Sequence, residues 1–445
     1  MYFRPLYRSL DCVHFVNTPL SSTSQTWSQL KPAIQLHLYS IQYTREYYRH
    51  NSKKTMSKGK IRLLIDARVL EGEAQGSATY LRELYRAFMD AYGNEYELFF
   101  ASESEAAIRS QFLVHHQFNW IPLPTGSRTR LYGQVFPRMI KEWNIDWAHF
   151  QYMVPFFKKC GHIVTTHDVL FLDFPQQFPW TYRTSRRILF KMAFWNSDIK
   201  ITVSDYSKQA ISKHFGVKQE EIFVTPNAVR SQYFELHDKQ EIRQDLEAKH
   251  GVKDFILFVS RLEQRKNHRL LLDAFEKLDL YKDYQLVFVG NNSLDDVELQ
   301  DLVEEAMRKY TGRFHWFRQI DESFLMQLYR GAKAFVYPSL AEGFGIPPLE
   351  AAACLVPTLC ASNTAMTDFS FFGHHLFDAS RPEQFYAKLQ RVLQNPPDQD
   401  SLEKIANQIQ AKYSWAYSAK VVHEAIVGRQ GRSNQQPATA AKLHS

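Results

Sequence analysis

Residues 337–353 read YPSLAEGFGIPPLEAAA, and this stretch is the most informative in the chain. An apolar run ends at Tyr337, Gly343 and Gly345 permit a tight turn, and the two prolines fit a first helical turn, where no amide donor is needed. A strand that passes through a glycine-rich turn into a helix is typical of parallel sheets with crossover helices. Such a helix start also offers free N–H groups and a positive dipole end, which suit a phosphate.

The same alternation of short apolar runs and helix-period segments extends through most of the chain. Strand patterns before residue 226 are Ile61–Asp66, Tyr96–Ala101, Trp147–Phe150, His162–Thr166, Asp198–Val203 and Ile222–Thr225. Those after residue 228 are Phe255–Val259, Gln285–Val289, Phe314–Trp316, Ala334–Tyr337 and Thr358–Cys360. Two successive βα series predict an α/β protein with two doubly wound, Rossmann-like domains that face each other across a cleft.

This pattern divides the chain into five segments. Residues 1–55 show no sustained period and are interpreted as a poorly ordered leader or a mis-called extension before Met56. The first domain is expected at 56–230 and the second, which would bind the donor, at 231–400. The helix-period run 401–428 is expected to return toward the first domain. Residues 429–445 have the composition of a disordered tail.

The formal charge of +7 lies at the two ends of the chain. Residues 1–55 hold seven basic and two acidic side chains, a net charge of +5, and residues 429–445 hold three basic and no acidic ones, a net charge of +3. The body between them is therefore close to neutral, at about −1. A nucleic-acid-binding function loses its main support, since such proteins carry their basic charge on the folded domain.

Two glutamates flank the glycine-rich turn, and only one of them has a structural explanation for its position. Glu350 lies in the first turns of the expected helix, where a carboxylate is favourable to the dipole whatever its function. Glu342 lies in the turn itself, where it would repel a phosphate unless it faced a neutral, hydroxyl-bearing part of the ligand. Glu342 therefore points to a sugar beside the phosphate.

Two cations follow the first strand of the second series. Arg261 and Lys266 come after Phe255–Val259, at the carboxyl end of a strand, where a diphosphate would be neutralised by a guanidinium fork and an ammonium point charge. The alternative is a solvated charge cluster at a helix start, because Arg265, His268 and Arg269 are close by in the sequence.

The E-x7-E spacing of Glu342 and Glu350 resembles the signature of retaining glycosyltransferases of the GT-B fold, family GT4. The resemblance implies that Glu342 contacts the transferred hexose and Glu350 the nucleotide ribose. Residues 260–267, SRLEQRKN, are similar to the family element whose Arg and Lys neutralise the leaving diphosphate. Gly290, after LVFV, resembles the next family landmark.

Landmarks of the same family are also found in the first domain. His167 stands in the run THDVLF at 166–171, which resembles a run in mannosyl- and rhamnosyl-type GT4 enzymes where the histidine lines the donor-sugar site. Gly76, in GSATY, is similar to a glycine loop near the acceptor and diphosphate. The family often has two adjacent glycines there, whereas this chain has Gly72 and Gly76 four residues apart.

Together these matches imply a retaining, mannosyltransferase-like enzyme that moves a hexose or deoxyhexose from a nucleoside-diphosphate sugar, GDP- or UDP-linked, to a glycan or lipid-linked acceptor in surface polysaccharide synthesis. The implied catalytic residues are Glu342, His167, Arg261 and Lys266. The implied donor-binding residues are Gly76, Gly290, Phe344, Gly345, Ile346 and Glu350. No cofactor and no catalytic metal are expected, and the same-face substitution needs no covalent nucleophile.

Several other functions compete with this one. A dinucleotide-dependent oxidoreductase would need G-x-G-x-x-G after the first strand, which the sequence lacks. The only D-x-D, Asp398-Gln399-Asp400, follows two prolines and is interpreted as a helix cap. A nucleotide-sugar 2-epimerase or a phosphorylase-type enzyme of the same fold remains an alternative, as does a non-catalytic interaction protein, although the latter would be expected to lose Glu342, Lys266 or Arg261.

The segment from Trp180 to Trp195 interleaves aromatic and basic residues at helical spacing. The helix from Arg183 to Trp195 could lie on an anionic membrane, or it could be a core-packing helix with a solvated basic face. No apolar run approaches the roughly 20 residues that span a bilayer. Four cysteines without Cys-x-x-Cys or zinc spacing are typical of a reducing compartment. We therefore expect a cytoplasmic protein, with membrane contact limited to the periphery of the inner face.

Overall fold

The computed structural model describes residues 59–72, 76–292 and 296–434. The expectation for residues 1–55 falls outside these residues, as does that for residues 435–445. Within the described part of the chain, the strands assemble into two separate sheets, and every strand pairing in both is parallel. Parallel sheets are covered by helices on both faces, so their strands are apolar along their whole length.

The first sheet has seven strands in the order β3-β2-β1-β4-β5-β6-β7. The strands are β1 Ile61–Asp66, β2 Tyr96–Ser102, β3 Asn119–Pro122, β4 Trp147–Gln151, β5 Gly161–Thr165, β6 Ile199–Thr202 and β7 Ile222–Val224. The order reverses between β1 and β4, and in open parallel sheets such a reversal places the ligand crevice beyond the carboxyl ends of the strands.

The second sheet repeats this design with six strands in the order β10-β9-β8-β11-β12-β13. The strands are β8 Phe255–Val259, β9 Gln285–Val289, β10 Phe314–Phe317, β11 Ala334–Tyr337, β12 Thr358–Ala361 and β13 Leu376–Phe377. The predicted architecture of two doubly wound α/β domains is confirmed. The sequence patterns missed two edge strands, β3 and β13, which are too short or too polar to show an apolar period.

Helices connect the strands. In the first domain they are α1 Gly76–Tyr92, α2 Glu105–Arg109, α3 Arg128–Arg130, α4 Phe136–Glu142, α5 Leu170–Asp173, α6 Trp180–Asn196 and α7 Asp205–Phe215, with a π-helical turn at Leu131–Val135 between α3 and α4. In and after the second domain they are α8 Lys239–His250, α9 His268–Lys277, α10 Val297–Lys309, α11 Glu322–Gly331, α12 Ile346–Ala353, α13 Pro382–Gln394, α14 Gln399–Lys412 and α15 Trp415–Asn434.

The C-terminal segment differs in detail from the sequence expectation. The single helical run 401–428 is two helices, α14 and α15, and α15 extends to Asn434, beyond the expected start of the tail at 429. The reason is local: Arg429 and Gln430 are good helix formers, and composition alone could not show that they continue a helix. α15 packs on the first domain, where His423 stacks on Tyr92 with ring centroids 4.0 Å apart.

Gly290 closes β9 and fixes the approach of two loops. Its φ is +140°, and a Cβ at this position would lie 2.1 Å from the main-chain oxygen of Ser260, next to Arg261. The indole of Trp316 donates a hydrogen bond to the Gly290 carbonyl at 2.7 Å. Gly290 is therefore required by the backbone, which explains the landmark without assigning it a ligand contact.

We predict that Gly290→Ala destabilises the protein by about 2–4 kcal/mol, because positive φ and a backbone clash add. Urea unfolding followed by circular dichroism measures the change. Gly312→Ala is the matched control: its φ is +73°, but nothing lies within 4 Å of an added Cβ, so only about 1 kcal/mol should be lost. Equal losses in the two variants would contradict the close-packing argument.

Candidate active site

Glu342 lies in the turn between β11 and α12 and is the most highly connected carboxylate of the cleft. Its Oε1 atom is 2.6 Å from Lys266 Nζ, and it accepts hydrogen bonds from the hydroxyls of Ser339 at 2.6 Å and Tyr337 at 3.0 Å. Its Oε2 atom is 3.1 Å from Arg265 Nη1. The side chain is 9% exposed, so the carboxylate is held in one orientation by neighbours rather than by water.

The charge state of Glu342 follows from these contacts. Burial opposes ionisation, but Lys266 and Arg265 outweigh it and lower the pKa of Glu342 to about 2. Burial and the charge of Arg265 lower the pKa of Lys266. For Arg265, burial is outweighed by Glu263 and Glu342, which raise its pKa. Glu342 is therefore an anion at neutral pH, placed between two cations.

A buried acid that the sequence motifs did not single out organises the cations. Glu263 is 2% exposed, and its two oxygens each lie 2.7 Å from a guanidinium nitrogen, Oε1 from Arg261 Nη2 and Oε2 from Arg265 Nε. Burial alone would raise its pKa, yet Arg265 and Arg261 lower it to about 2. The cluster around Arg261 is thus a chain of ion pairs running from Arg261 through Glu263 and Arg265 to Glu342, not a solvated surface.

The two sequence motifs form one structural unit. The carbonyl of Arg265 accepts a hydrogen bond from Leu340 N at 2.7 Å and another from the Ser339 hydroxyl at 3.2 Å. The main chain of Glu342 is held by Thr364, whose hydroxyl accepts from Glu342 N at 2.8 Å. Loop 260–267 and turn 338–345 are therefore strapped together by the backbone as well as by charge.

The start of α12 offers fewer amide donors to a phosphate than the sequence suggested. Gly345 is the N-cap, with φ +102°, and a Cβ there would lie 3.2 Å from Met366. Pro347 and Pro348 carry no N–H, so the amides near Phe344, Gly345 and Ile346 are those left to receive an anion. The Phe344 ring packs against Phe369 and Tyr413 at centroid distances of 5.9 and 5.3 Å, so its side chain is structural.

Glu350 lies one helical turn further along and has a different character. Its Oε2 accepts a hydrogen bond from the Tyr329 hydroxyl at 2.9 Å. Burial raises the pKa of Glu350 to about 7, against the smaller effects of Tyr329 and Arg230. The two glutamates of the E-x7-E spacing therefore differ: Glu342 is fixed as an anion, and Glu350 is half-protonated near neutral pH.

His167 follows β5 on the opposite side of the cleft. Its Nε2 is 2.7 Å from the side-chain oxygen of Gln151, and its ring packs edge-on against Tyr80 at a centroid distance of 4.9 Å. Burial, with a contribution from His149, lowers the pKa of His167 to about 3. His167 is therefore a neutral group, suited to hydrogen bonding with a sugar hydroxyl rather than to binding a phosphate by charge.

Contacts across the cleft converge on Gly343. Its carbonyl accepts hydrogen bonds from the hydroxyls of Ser204 at 2.7 Å and Ser207 at 3.2 Å, both at the start of α7 in the first domain. A Cβ at Gly343 would lie 2.9 Å from Cβ of Asp168. Asp168, which follows His167, thus packs against Gly343, which follows Glu342. His167 and Glu342 therefore lie on opposite sides of the cleft, each next to a residue of this contact.

Gly76 is the expected site residue with the fewest described contacts. It begins α1, and nothing lies within 4 Å of a Cβ added there. Arg82, further along α1, lies close enough to Glu350 to lower its pKa, so the amino-terminal part of α1 faces the second domain. The structure thus places the start of α1 toward the cleft but shows no contact that requires a glycine at 76.

Some carboxylates and histidines elsewhere in the described chain serve the local structure. Asp398 caps α14, its side chain accepting from Ser401 N at 2.9 Å, which confirms the capping interpretation. Asp90, His115 and His116 converge at the end of the first sheet remote from the cleft. There His116 Nδ1 accepts from Leu113 N, which leaves Nε2 as the protonated nitrogen that donates to Asp90 at 2.9 Å. That arrangement is a hydrogen-bonded group rather than a ligand set.

The fold is similar to that of several solved glycosyltransferases. The structure of a glycosyltransferase from Rickettsia africae ESF-5 matches with a TM-score of 0.63 at 15% identity, over 84% of this chain and 100% of that one. WaaG, a glycosyltransferase involved in lipopolysaccharide biosynthesis, matches with 0.62 at 17% identity, over 83% and 100%. Anabaena Alr3699/HepE with UDP-glucose matches with 0.64 at 14% identity, over 83% and 100%. The fold is that of the GT-B glycosyltransferases.

Two family models cover both domains. "Glycosyltransferase Family 4" matches residues 74–233 and "Glycosyl transferases group 1" matches residues 238–409, together about three-quarters of the chain. The chain belongs to the group 1 glycosyltransferases of family 4, as the sequence motifs predicted.

Curated relatives narrow the comparison. O-antigen chain mannosyltransferase B of Escherichia coli is 28% identical over 259 residues, which are 57% of this chain and 66% of that protein. Serotype-specific mannosyltransferase WbdA of Escherichia coli is 26% identical over 238 residues, which are 53% of this chain and 29% of that protein. The matched region thus spans less than two-thirds of the length of either relative.

The raised pKa of Glu350 predicts a pH-dependent stability. Because its pKa is higher in the folded than in the unfolded state, Glu350 contributes full stability below about pH 4.5, and this is lost as pH rises through 7. The free energy of unfolding of the wild type should therefore fall between pH 5 and pH 8. In Glu350→Gln, which lacks this titration, the fall should be smaller by about 2 kcal/mol. Thermal unfolding at the two pH values measures this. An unchanged pH profile would contradict the raised pKa.

Proposed function

We propose that the protein is a retaining glycosyltransferase that moves a hexose or deoxyhexose from a nucleoside-diphosphate sugar to a glycan or lipid-linked acceptor. The observation that carries the proposal is Glu342: a buried, ionised carboxylate in a glycine-rich turn, held by Lys266 and Arg265 at the carboxyl ends of the strands. An anion there would repel a phosphate, so it faces the neutral hydroxyls of the sugar while cations and amides beside it take the diphosphate.

The donor diphosphate would lie between loop 260–267 and the start of α12. Arg261 and Lys266 would neutralise the charge that develops on it as the bond from the anomeric carbon breaks. The electron pair leaves with the diphosphate, the acceptor hydroxyl bonds to the same face of the anomeric carbon, and its proton passes to the leaving phosphate oxygen. In this scheme protein cations supply the charge stabilisation, so we propose that neither a cofactor nor a catalytic metal takes part.

The relatives guide the choice of sugar and nucleotide. Two of them bear the names O-antigen chain mannosyltransferase and serotype-specific mannosyltransferase, which supports mannose as the sugar and surface polysaccharide synthesis as the setting. The structures of Anabaena Alr3699/HepE with UDP and with UDP-glucose support a nucleoside diphosphate as the leaving group. We therefore propose a GDP- or UDP-linked donor, with Glu350 on the ribose and His167 on the sugar.

The exposed face of α6 supports a peripheral membrane contact. Its exposed stripe carries four large apolar side chains, Trp180 69%, Ile188 55%, Met192 51% and Trp195 58% exposed, together with the polar Thr184 and Ser185. Arg187 is exposed beside them, and Lys191 Nζ lies 5.7 Å from the Trp195 ring. Exposed apolar side chains edged by cations suit an anionic bilayer surface, and we propose that α6 rests on the inner face of the cytoplasmic membrane. Among the described residues, no helix is both long and apolar enough to cross a bilayer.

Substitutions in the buried pair test the catalytic assignment. We expect Glu342→Gln and Lys266→Ala each to lower sugar transfer at least 100-fold, since each removes a charge placed for the transition state. Glutamine is preferred to alanine at 342 because it removes the charge while it preserves the volume and an oxygen that accepts the hydroxyl hydrogen bonds of Ser339 and Tyr337. Glu298→Gln, a substitution at an exposed glutamate, is the matched control.

The measurement has two stages. Thermal shift with GDP, UDP and ADP identifies the nucleotide, and transfer from the matching labelled nucleotide sugar into a membrane extract is then followed together with release of nucleoside diphosphate. Release that needs no acceptor would instead indicate the 2-epimerase alternative, and absence of nucleotide binding would indicate a non-catalytic protein. Near-normal turnover in a folded Glu342→Gln or Lys266→Ala protein would overturn the site.

Vesicle flotation tests the membrane contact. We expect the protein to float with vesicles containing phosphatidylglycerol but not with phosphatidylcholine alone, and we expect Arg187→Glu with Lys191→Glu to reduce binding more than tenfold. Arg186 is not used, because its guanidinium packs over the Tyr182 ring at 5.2 Å and is not part of the exposed stripe. Arg308→Glu in α10 is the control, and equal flotation of all variants would refute the contact.

A further inference from the structure

Glu263 lies between two arginines on the interior side of the diphosphate site. Its Oε1 is 2.7 Å from Arg261 Nη2 and its Oε2 is 2.7 Å from Arg265 Nε. The side chain of Glu263 is 2% exposed, whereas those of Arg261 and Arg265 are 21% and 13% exposed. The Glu263 carbonyl accepts a hydrogen bond from Lys266 N at 2.9 Å, which closes the turn. One buried carboxylate therefore holds two guanidinium groups, and Arg261 is the more exposed of the two.

Arg265 connects this carboxylate to the turn that carries Glu342. Its Nη1 lies 3.1 Å from Glu342 Oε2 and donates a hydrogen bond to the Ala341 carbonyl at 2.8 Å. Its own carbonyl accepts a hydrogen bond from Leu340 N at 2.7 Å. Arg265 therefore links loop 260–267 to turn 338–345 through both its side chain and its main chain. The ion-pair chain formed by Arg261, Glu263, Arg265 and Glu342 is continuous across the two loops.

The charge of Glu263 acts against the binding of a diphosphate. The ion-pair chain and Lys266 together hold three cations and two anions, a net charge of +1, and this charge would be +2 without Glu263. An anion beside a phosphate site weakens the attraction between its cations and the phosphate. Attraction to the diphosphate therefore does not account for an acid at this position.

Orientation accounts for it. An arginine side chain has many rotamers, and its planar guanidinium matches phosphate oxygens only from a limited range of directions. Groups that are already placed before the reaction stabilise developing charge better than groups that must first reorganise. The ion pair with Glu263 restricts the direction of the Arg261 guanidinium, and Arg265 holds the Glu263 carboxylate relative to Glu342.

We propose that Glu263 and Arg265 are positioning residues, which hold Arg261 in a fixed direction relative to Glu342 before the donor binds. The proposal rests on the proposed function, in which Arg261 neutralises the leaving diphosphate and Glu342 faces the sugar. These two residues lie in loops that follow different strands, β8 and β11. The ion-pair chain sets their separation, so both ends of the bond that breaks are aligned by the fold rather than by the bound donor.

Two substitutions separate position from charge. Glu263→Gln preserves the volume of the side chain and removes its charge, and Arg265→Lys preserves the charge but lacks the planar fork that reaches two carboxylates. We expect each to lower kcat for sugar transfer about tenfold or more. For Glu263→Gln, the Kd of the nucleoside diphosphate should rise no more than about twofold, because loss of an anion favours a diphosphate. Thermal unfolding confirms that each variant is folded.

A double-mutant cycle tests whether Glu263 acts through Arg261. If it does, Glu263→Gln combined with Arg261→Ala should lose less kcat than the product of the two separate losses. Losses that simply multiply would contradict this route. Arg269→Lys is the matched control, since Arg269 is 56% exposed in α9 and should keep the kcat of the wild type.

Nitrogen NMR of arginine side chains in the nucleotide-free protein measures the positioning without turnover. We expect an order parameter near about 0.85 for the Arg261 Nε–H group in the wild type and below about 0.6 in Glu263→Gln. The proposal is overturned if Arg261 is equally rigid in both proteins, or if folded Glu263→Gln and Arg265→Lys turn over like wild type. If no nucleotide binds and no sugar is transferred, the donor function fails, and the NMR comparison still decides whether Glu263 holds Arg261.

Discussion

The buried pair between Glu342 and Lys266 is the constraint on which the second domain's cleft depends. Burying either charged group alone would cost several kcal/mol. Together they hold one geometry, because Arg265, Ser339 and Tyr337 provide the remaining ion pair and hydrogen bonds of the carboxylate. The pair also joins two distant segments of sequence into one wall. The buried apolar strands β8 and β11 hold the two loops that carry Lys266 and Glu342 in place.

Across from this wall, the first domain contributes an uncharged imidazole and two hydroxyl groups. His167 is kept uncharged by burial, while Ser204 and Ser207 hold the carbonyl of Gly343. Further along the same edge of the first sheet, the charge of Arg68 is balanced by Asp66 in a partly buried ion pair.

The fold was predictable because buried parallel strands appear in the sequence as apolar runs. The two strands that were not predicted, β3 and β13, are short, and each has a single buried residue. Glu342 and Lys266 could be found through their setting in turns after strands. Glu263 and Arg265 could not, because an acid and a base close in sequence look the same whether solvated or buried between two loops. The side-chain packing of Phe344 and the contact of Asp168 with Gly343 were equally hidden, since both depend on residues far away in the chain.

The Gly343 carbonyl has a consequence for the rate at which the enzyme can turn over. Two hydroxyl donors hold it across the domain boundary, and a neutral hydrogen bond contributes about 1 kcal/mol net. Losing these two hydrogen bonds would therefore cost on the order of 2 kcal/mol, to which the ion pair of Arg230 with Glu322 across the same boundary adds. A domain motion that widened the cleft would have to break these bonds together, and collective motions of this kind take microseconds to milliseconds.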